Sequence, residues 1–221
     1  MKQLADGVHL ITGFPPYAIN CYLVEDVLVD AMAKMDRGRI LKALRGRTVT
    51  AHALTHAHAD HQGATHAVCE RLGVPLWVGE RDADAAEQPR LIKERQPSHP
   101  INTLFFHAMA GPGHPVARRL REDDEVAGFR VLDVPGHSAG HIALWRERDR
   151  TLIAGDVLNS QHPLLGFPRA LREPLRVFTP DPDRNRESIR RLGALEPALV
   201  LLGHGPPVTD THRFVEFCSS V

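Results

Sequence analysis

Short apolar runs recur along the chain, each followed by glycine, proline or a charged turn, and they alternate with segments of helical spacing. The apolar runs predict strands at residues 8–12, 20–25, 27–30, 49–54, 76–78, 129–134, 142–145, 151–154 and 198–202. Apolar residues that recur every three or four positions predict helices at residues 39–44, 62–72, 81–88, 182–195 and 212–218. This order favours a mixed α+β or α/β fold in which two β-rich halves stack as a four-layer αββα sandwich.

The boundaries of two predicted helices carry recognisable end signals. The helix at 62–72 ends at Gly73, and the helix at 182–195 has Asp181 as its N-cap with Pro182 in the first helical position. The strand at 49–54, a histidine-rich turn, the helix at 62–72 and the next strand form a βαβ unit. Ligands of open α/β sheets bind beyond the carboxyl ends of the strands, where this turn lies.

Two stretches lack a regular pattern and are interpreted as irregular loops that carry substrate specificity. In residues 96–116 four prolines break any long element, and residues 159–177 are rich in proline and arginine. Long irregular insertions in a domain of this size are usually functional loops. The charged residues 146–150 are interpreted differently, as the solvated tip of a hairpin.

Composition limits the functional classes. The chain has 221 residues, 43% hydrophobic and 24% charged, which predicts one globular domain over residues 1–221. The formal net charge of +0 gives no global attraction to nucleic acid or an anionic membrane. Three scattered cysteines do not indicate a disulfide framework, and there is no signal-peptide pattern or membrane-length apolar run. We therefore expect a cytoplasmic protein that acts on a small molecule, with no nucleic-acid or membrane partner.

The candidate chemistry comes from histidines and aspartates that follow predicted strands. The turn after strand 49–54 contains four potential metal ligands in six consecutive residues: His56, His58, Asp60 and His61. Three more follow later strands, each close to glycine: His137, Asp156 and His204. If these strands lie side by side, their ends converge. Five imidazoles and two carboxylates are enough for two ions that share a bridging carboxylate, and the set suits Zn²⁺ and also Fe or Mn.

The order His56-x-His58-x-Asp60-His61, then His137, Asp156 and His204, resembles the metallo-β-lactamase superfamily over nearly the whole chain. The resemblance implies the αββα sandwich with metals at one edge. It assigns His56, His58 and His137 to the first ion, Asp60, His61 and His204 to the second, and Asp156 to a bridge. The glyoxalase II-like branch is favoured, because true lactamases generally lack the bridging carboxylate and flavodiiron proteins carry a carboxylate at the position of His58.

The resemblance implies a metallo-hydrolase, with two zinc ions, that attacks an ester, thioester or lactone with a metal-bound hydroxide. Asp60 is also a candidate for moving a proton. Three alternatives stay open: a phosphodiesterase or nuclease, a mononuclear iron persulfide dioxygenase-like enzyme that would leave His61 and His204 idle, and a non-catalytic metal-binding protein. Only residues 205–221 follow the last ligand, whereas a glyoxalase II has a further helical segment, so a glutathione thioester is not favoured.

Several neighbouring residues have more than one interpretation. His141 can orient a ligand, face the substrate or simply pack, and Asn159 and His162 either line the mouth of the site or have structural roles. Asp30 either hydrogen-bonds a ligand histidine or completes a turn. The remaining histidines are interpreted as ordinary: His9, His52, His66, His99, His107, His114 and His212. Two groups of arginines are either solvated or bind an anionic substrate: Arg118, Arg119 and Arg121 in one run, and Arg169, Arg172 and Arg176 in the second irregular stretch.

Overall fold

The computed structural model describes residues 1–161 and 168–221, apart from the side chains of Pro168 and Arg169. The interpretations of His162 and of the Arg169 side chain therefore lie outside the described residues.

A seven-stranded sheet forms the N-terminal half, in the order β1-β2-β3-β4-β5-β6-β7. Its strands are β1 (Lys2–Ala5), β2 (Val8–Thr12), β3 (Asn20–Val24), β4 (Val27–Val29), β5 (Ala51–Leu54), β6 (Leu76–Gly79) and β7 (Val116–Leu120). The first four strands pair antiparallel and β4 to β7 pair parallel. The parallel strands β5 and β6 thus end at the same edge of the sheet.

A five-stranded sheet forms the second half, in the order β14-β11-β10-β9-β8. Its strands are β8 (Glu125–Val126), β9 (Phe129–Asp133), β10 (Ile142–Arg146), β11 (Thr151–Gly155) and β14 (Leu199–Leu202). Strand β10 runs antiparallel to β9 and β11, and β14 is parallel to β11. Strands β9, β11 and β14 consequently all end at one edge.

The helices cover the outer faces of both sheets. They are α1 (Arg37–Ala43), α2 (Thr65–Leu72), α3 (Ala83–Glu87), α4 (Arg90–Arg95), α5 (Pro100–Met109), α6 (Pro182–Gly193) and α7 (Thr211–Ser220). One apolar core joins the two sheets through residues such as Val29, Val131 and Leu201. Separate cores join α1, α2 and α3–α4 to the first sheet and α6–α7 to the second. The αββα sandwich predicted from the sequence is confirmed. No helix among the described residues is long and apolar enough to cross a membrane.

The interpretation of residues 96–116 as irregular is wrong in its centre, because α5 occupies ten of these residues. Pro100 starts this helix, at a position where a backbone N–H has no helical acceptor, so the proline does not break it. His99 caps the helix by accepting a hydrogen bond from the Ile101 N–H at 3.2 Å. The sequence prediction treated a helix-starting proline as a helix breaker.

Residues 159–177 also contain regular structure that the sequence did not indicate. Strands β12 (Asn159–Gln161) and β13 (Pro168–Arg172) pair antiparallel as a small separate sheet. Neither strand has the apolar alternation on which strand prediction depends, because they do not belong to the central sandwich.

The hairpin at residues 146–150 is confirmed as a turn, but Arg146 is not solvated. It belongs to β10 and is only 3% exposed, with its guanidinium 4.5 Å from the centre of the Phe129 ring. It also pairs with Asp149 at 2.7 Å and donates a hydrogen bond to the Asp6 carbonyl. Arg146 therefore packs the end of the hairpin against the chain start.

Helix α2 begins three residues later than predicted. Residues 62–64 continue the histidine-rich turn, since the Thr65 N–H donates to the Gln62 carbonyl in a closing turn. A Cβ at Gly63 would lie 2.4 Å from the Lys34 nitrogen and 2.4 Å from the Met109 oxygen, so only glycine fits there. The turn is thereby held against α5.

Candidate metal centre

All seven predicted ligands lie together where strands of the two sheets end. His56 to His61 follow β5, His137 follows β9, and Asp156 and His204 follow β11 and β14. Their donor atoms form three overlapping triads, and within each triad the atoms are within 4.8 Å of one another: His56/His58/His137, His56/His61/Asp156 and Asp60/His61/His204. The first and third triads have the same membership as the two ligand sets implied by the family resemblance.

Asp156 occupies the middle of the cluster. Its Oδ2 atom lies 3.0 Å from His204 Nε2, 3.4 Å from His61 Nε2 and 3.6 Å from His137 Nε2. These histidines belong to both ligand sets, so one carboxylate oxygen faces both halves of the centre. This is the position that a bridging ligand would need.

Outer contacts fix the orientation of the histidine rings. Asp30 Oδ2 lies 3.1 Å from His61 Nδ1, so of its two possible roles Asp30 has the hydrogen bond to a predicted ligand histidine. Similar contacts hold Nδ1 of three other rings: His56 to Thr55 Oγ1 at 3.0 Å, His137 to Thr179 Oγ1 at 3.2 Å, and His204 to the Ala18 carbonyl. With Nδ1 held, Nε2 of each ring is left for another partner, which is the usual arrangement of metal-binding histidines.

Three buried atoms at the centre of the cluster lack a hydrogen-bond partner among the described residues. They are His56 Nε2, His137 Nε2 and Asp156 Oδ1. An unsatisfied buried polar atom typically costs about 1–3 kcal/mol. Three such atoms in one ligand-rich cluster fit a site that is completed by metal ions.

Burial and charge divide the ligands into two electrostatic groups. Burial lowers the pKa of His56, His58 and His137, which keeps them neutral and able to donate a lone pair. Burial alone would have the same effect on His61 and His204, but the carboxylates of Asp156 and Asp60 raise both pKa values, that of His204 to about 10. The positive rings in turn hold the pKa values of Asp60 and Asp156 low against the effect of burial.

This charge network predicts how the stability of the metal-free protein depends on pH. The pKa of His204 is raised from 6.5 to about 10, so its contribution is fully present below pH 6.5 and lost as the pH rises toward 10. We expect the Tm of chelator-treated protein to fall across this window in thermal melts. His204→Gln should flatten the fall. An equally steep decline in the variant would contradict the assignment.

His141 and Asp82 position the loops of the centre without belonging to it. His141 is 1% exposed, and its Nε2 accepts the Asp156 N–H at 3.1 Å, so of its possible roles it orients a ligand. Asp82 accepts the Ala57 N–H at 3.0 Å, the Ser138 hydroxyl at 2.5 Å and the Gly140 N–H at 2.8 Å. Asp82 thus joins the two histidine loops, and the sequence prediction missed it. The available signal was a carboxylate shortly after β6, at the same edge as the His-rich turn.

A cavity of about 240 Å³ opens above the cluster. His58, Asp60, His137, Asp156 and His204 line its base. Its walls are mostly apolar and come from Pro15, from α5 and from residues 174–178. The apolar side chains of the last two segments are Phe105, Phe106, Met109, Pro174, Leu175 and Phe178. The rings of Phe105 and Phe178 stack with centres 5.6 Å apart. Asn159 also lines the cavity, which is one of the two roles left open for it, and no lysine or arginine is among its described lining residues.

The αββα fold and the positions of the seven candidate ligands are those of one protein superfamily, and comparison with known families identifies the same one. The family model described as the metallo-β-lactamase superfamily matches residues 14–204. The chain belongs to this superfamily, whose members are mostly hydrolases. The predicted family and fold are therefore confirmed.

The chain is also similar to individual members of this superfamily. The chain is 29% identical over 232 residues to the probable metallo-hydrolase YflN of Bacillus subtilis, covering 94% of this chain and 87% of YflN. It is 25% identical over 193 residues to the hydroxyacylglutathione hydrolase of Bdellovibrio bacteriovorus, covering 83% and 59% of the two chains. Among solved structures, TTHA1623 in a di-iron-bound form has a TM-score of 0.70 and 31% identity, over 95% of this chain and 97% of that chain.

Proposed function

We propose that the protein is a dinuclear metal-dependent hydrolase of neutral esters, thioesters or lactones. The observation that carries this proposal is the position of Asp156 Oδ2, within 3.6 Å of histidines from both ligand sets at the base of an apolar cavity. Convergence of all seven candidates speaks against a non-catalytic protein. Inclusion of His61 and His204 in the cluster speaks against a mononuclear iron enzyme that leaves them idle.

The residues of each triad would hold the ions as the family resemblance implies. His56, His58 and His137 would hold the first, Asp60, His61 and His204 the second, and Asp156 both. When bound, two such ions supply Lewis acidity and activated water for attack on a carbonyl. Zinc suits an imidazole and carboxylate set without thiolate. The di-iron form of TTHA1623 makes iron the second candidate metal.

Asp60 is the ligand best placed to move a proton during the reaction. Its side chain is 28% exposed, it lines the cavity, and its Oδ2 lies 3.2 Å from His204 Nε2. A carboxylate that is both at the ions and open to the cavity can take a proton from the nucleophile and return it to the leaving group.

For Asp60→Asn we expect slower turnover and a changed pH–rate profile, even when metal is saturating. The amide keeps the shape and one donor oxygen but is not a base. Metal content and kcat measured over a pH series check this. Retention of both ions with full activity would rule out the proton-transfer role.

The cavity favours a neutral, largely apolar substrate over a phosphodiester. Nucleic acids and cyclic nucleotides carry phosphate charge, which proteins commonly bind with arginine or lysine. The described lining has none and instead offers three phenylalanine rings with other apolar side chains around a polar base. The relationship to a hydroxyacylglutathione hydrolase supports an acyl substrate, including a thioester.

A series of p-nitrophenyl esters or acyl thioesters of increasing chain length tests the substrate class. Each buried methylene contributes about 0.8 kcal/mol, so kcat/KM should rise roughly tenfold for every two methylenes until the cavity is full. Phe178→Ala should reduce this dependence, whereas Leu104→Ala, on the exposed side of α5, should leave it intact. Faster turnover of bis-p-nitrophenyl phosphate than of every acyl substrate would contradict the proposal.

A further inference from the structure

Three further metal-binding side chains lie together outside the centre described above. His66 and Glu70 are four residues apart on α2 and share one face of the helix. His114 comes from residues 110–115, which lead from α5 to β7. The ligand atoms of the three residues lie within 4.8 Å of one another, and none of the three belongs to the triads of the first centre.

Close backbone packing holds His114 next to α2. The His114 N–H donates to the Ala86 carbonyl at 3.2 Å. A Cβ at Gly113 would lie 2.0 Å from the Glu87 oxygen, and one at Gly111 would lie 2.0 Å from the Gly63 oxygen. Residues 110–115 are therefore pressed against α3 and the start of α2, so the cluster is a product of the fold.

The geometry of the two rings suits a tetrahedral ion. The Nδ1 atoms of His66 and His114 are 3.3 Å apart. With Zn–N bonds of about 2.0–2.1 Å, two ligands of a tetrahedral zinc ion are separated by about 3.3 Å. Glu70 Oε1 lies 4.0 Å from His114 Nδ1, and the Glu70 side chain is 65% exposed.

The protonation state of His114 is also suitable. The ring is partly buried, and this burial together with the nearby His66 lowers its pKa. The neutral imidazole, which has a free lone pair, is the form that binds metal.

We propose that His66, Glu70 and His114 form a second, separate site for one divalent transition-metal ion, preferably Zn²⁺, which fastens residues 110–115 to α2. Two imidazoles and a carboxylate suit zinc, with water as the fourth ligand. The ion would tie α5, whose Phe105 and Phe106 form a cavity wall, to the helix that follows the His56–His61 turn. A direct hydrogen bond between the two rings would also give a separation of 3.3 Å between the Nδ1 atoms. Glu70 distinguishes the two explanations, because it would bind the metal ion but has no part in that hydrogen bond.

Calorimetric titration with ZnCl₂, combined with metal analysis, tests the site in the full-length protein. Wild type should bind one equivalent more than His66→Gln or His114→Gln. This difference does not depend on how many ions the first centre holds. Glu70→Gln should weaken the extra binding, and added zinc should raise the Tm of wild type by more than that of the histidine variants, in which only the first centre can bind it. His212→Gln, which changes an exposed histidine outside the cluster, is the matched control.

Three results would overturn the proposal. One is equal zinc uptake by wild type and both histidine variants, once circular dichroism has shown that the variants are folded. Another is an extra equivalent in wild type that Glu70→Gln leaves unaltered, which points to the two rings alone. The third is binding weaker than about 1 mM, which is too weak for a built site. Hydrolase activity at saturating metal should be retained in all three variants.

Discussion

Asp156→Asn is expected to remove nearly all activity and to lower the affinity for both ions. Asp156 is 6% exposed, and its Oδ2 is the only carboxylate oxygen within 3.6 Å of His61, His137 and His204 together among the described residues. An asparagine keeps the shape but removes the negative charge that would lie between the two proposed cations. Two unit charges about 4 Å apart interact by about 4 kcal/mol at an effective dielectric constant of 20, which corresponds to roughly 10³ in affinity.

Metal analysis after dialysis and kcat/KM for an acyl ester measure this loss. Asp133→Asn is the matched control, because Asp133 also ends a strand of the second sheet but lies exposed and outside the centre. The variant should fold, since asparagine is nearly isosteric. Two retained ions and near wild-type turnover in Asp156→Asn would show that the carboxylate does not bridge.

Gly203→Ala is expected to have the next largest effect, through a single methyl group. A Cβ at this position would lie 1.9 Å from Asp156 Oδ1 and 2.6 Å from His61 Cε1. The backbone cannot yield, because the Gly203 N–H donates to Gly155 and its carbonyl accepts from Asn20. Overpacking of this kind costs about 1–3 kcal/mol of stability, and here it also displaces two ligands.

Denaturant unfolding and metal titration check this prediction. Gly38→Ala is the control, since a Cβ there would meet nothing within 4 Å in α1, where alanine is a better helix former. We expect Gly38→Ala to be neutral or stabilising and Gly203→Ala to lose both stability and metal affinity. Equal stability and metal binding in the two variants would contradict the close packing around Asp156.

The convergence of the candidate ligands was predictable because each follows an apolar strand at a turn. His137, Asp156 and His204 come from distant parts of the chain, but the ends of β9, β11 and β14 meet at one edge. Asp30 also ends an apolar strand, and its hydrogen bond to His61 was one of the two roles left open for it. Asp82 was missed because its function depends on hydrogen bonds to Ala57, Ser138 and Gly140, and no local pattern shows these contacts.

The cavity walls were less predictable than its base. Phe105 lies in the first stretch without regular pattern and Phe178 directly follows the second, and their stacking is a long-range contact. Helix α5, which carries Phe105, was hidden by a proline that starts it. The pairing of His66 with His114 likewise requires the close approach of residues 110–115 to α2, which depends on glycines 63, 111 and 113.

Stepwise addition of Zn²⁺ to chelator-treated protein, with turnover of an acyl thioester followed at each step, tests the central claim most directly. His114→Gln protein is used so that the outer site does not take up metal, and lactone, β-lactam and phosphodiester substrates are run in parallel. We predict no turnover without metal and a plateau of acyl hydrolysis at two equivalents. Turnover by the metal-free protein, or a plateau at one equivalent, would contradict a dinuclear centre built around Asp156.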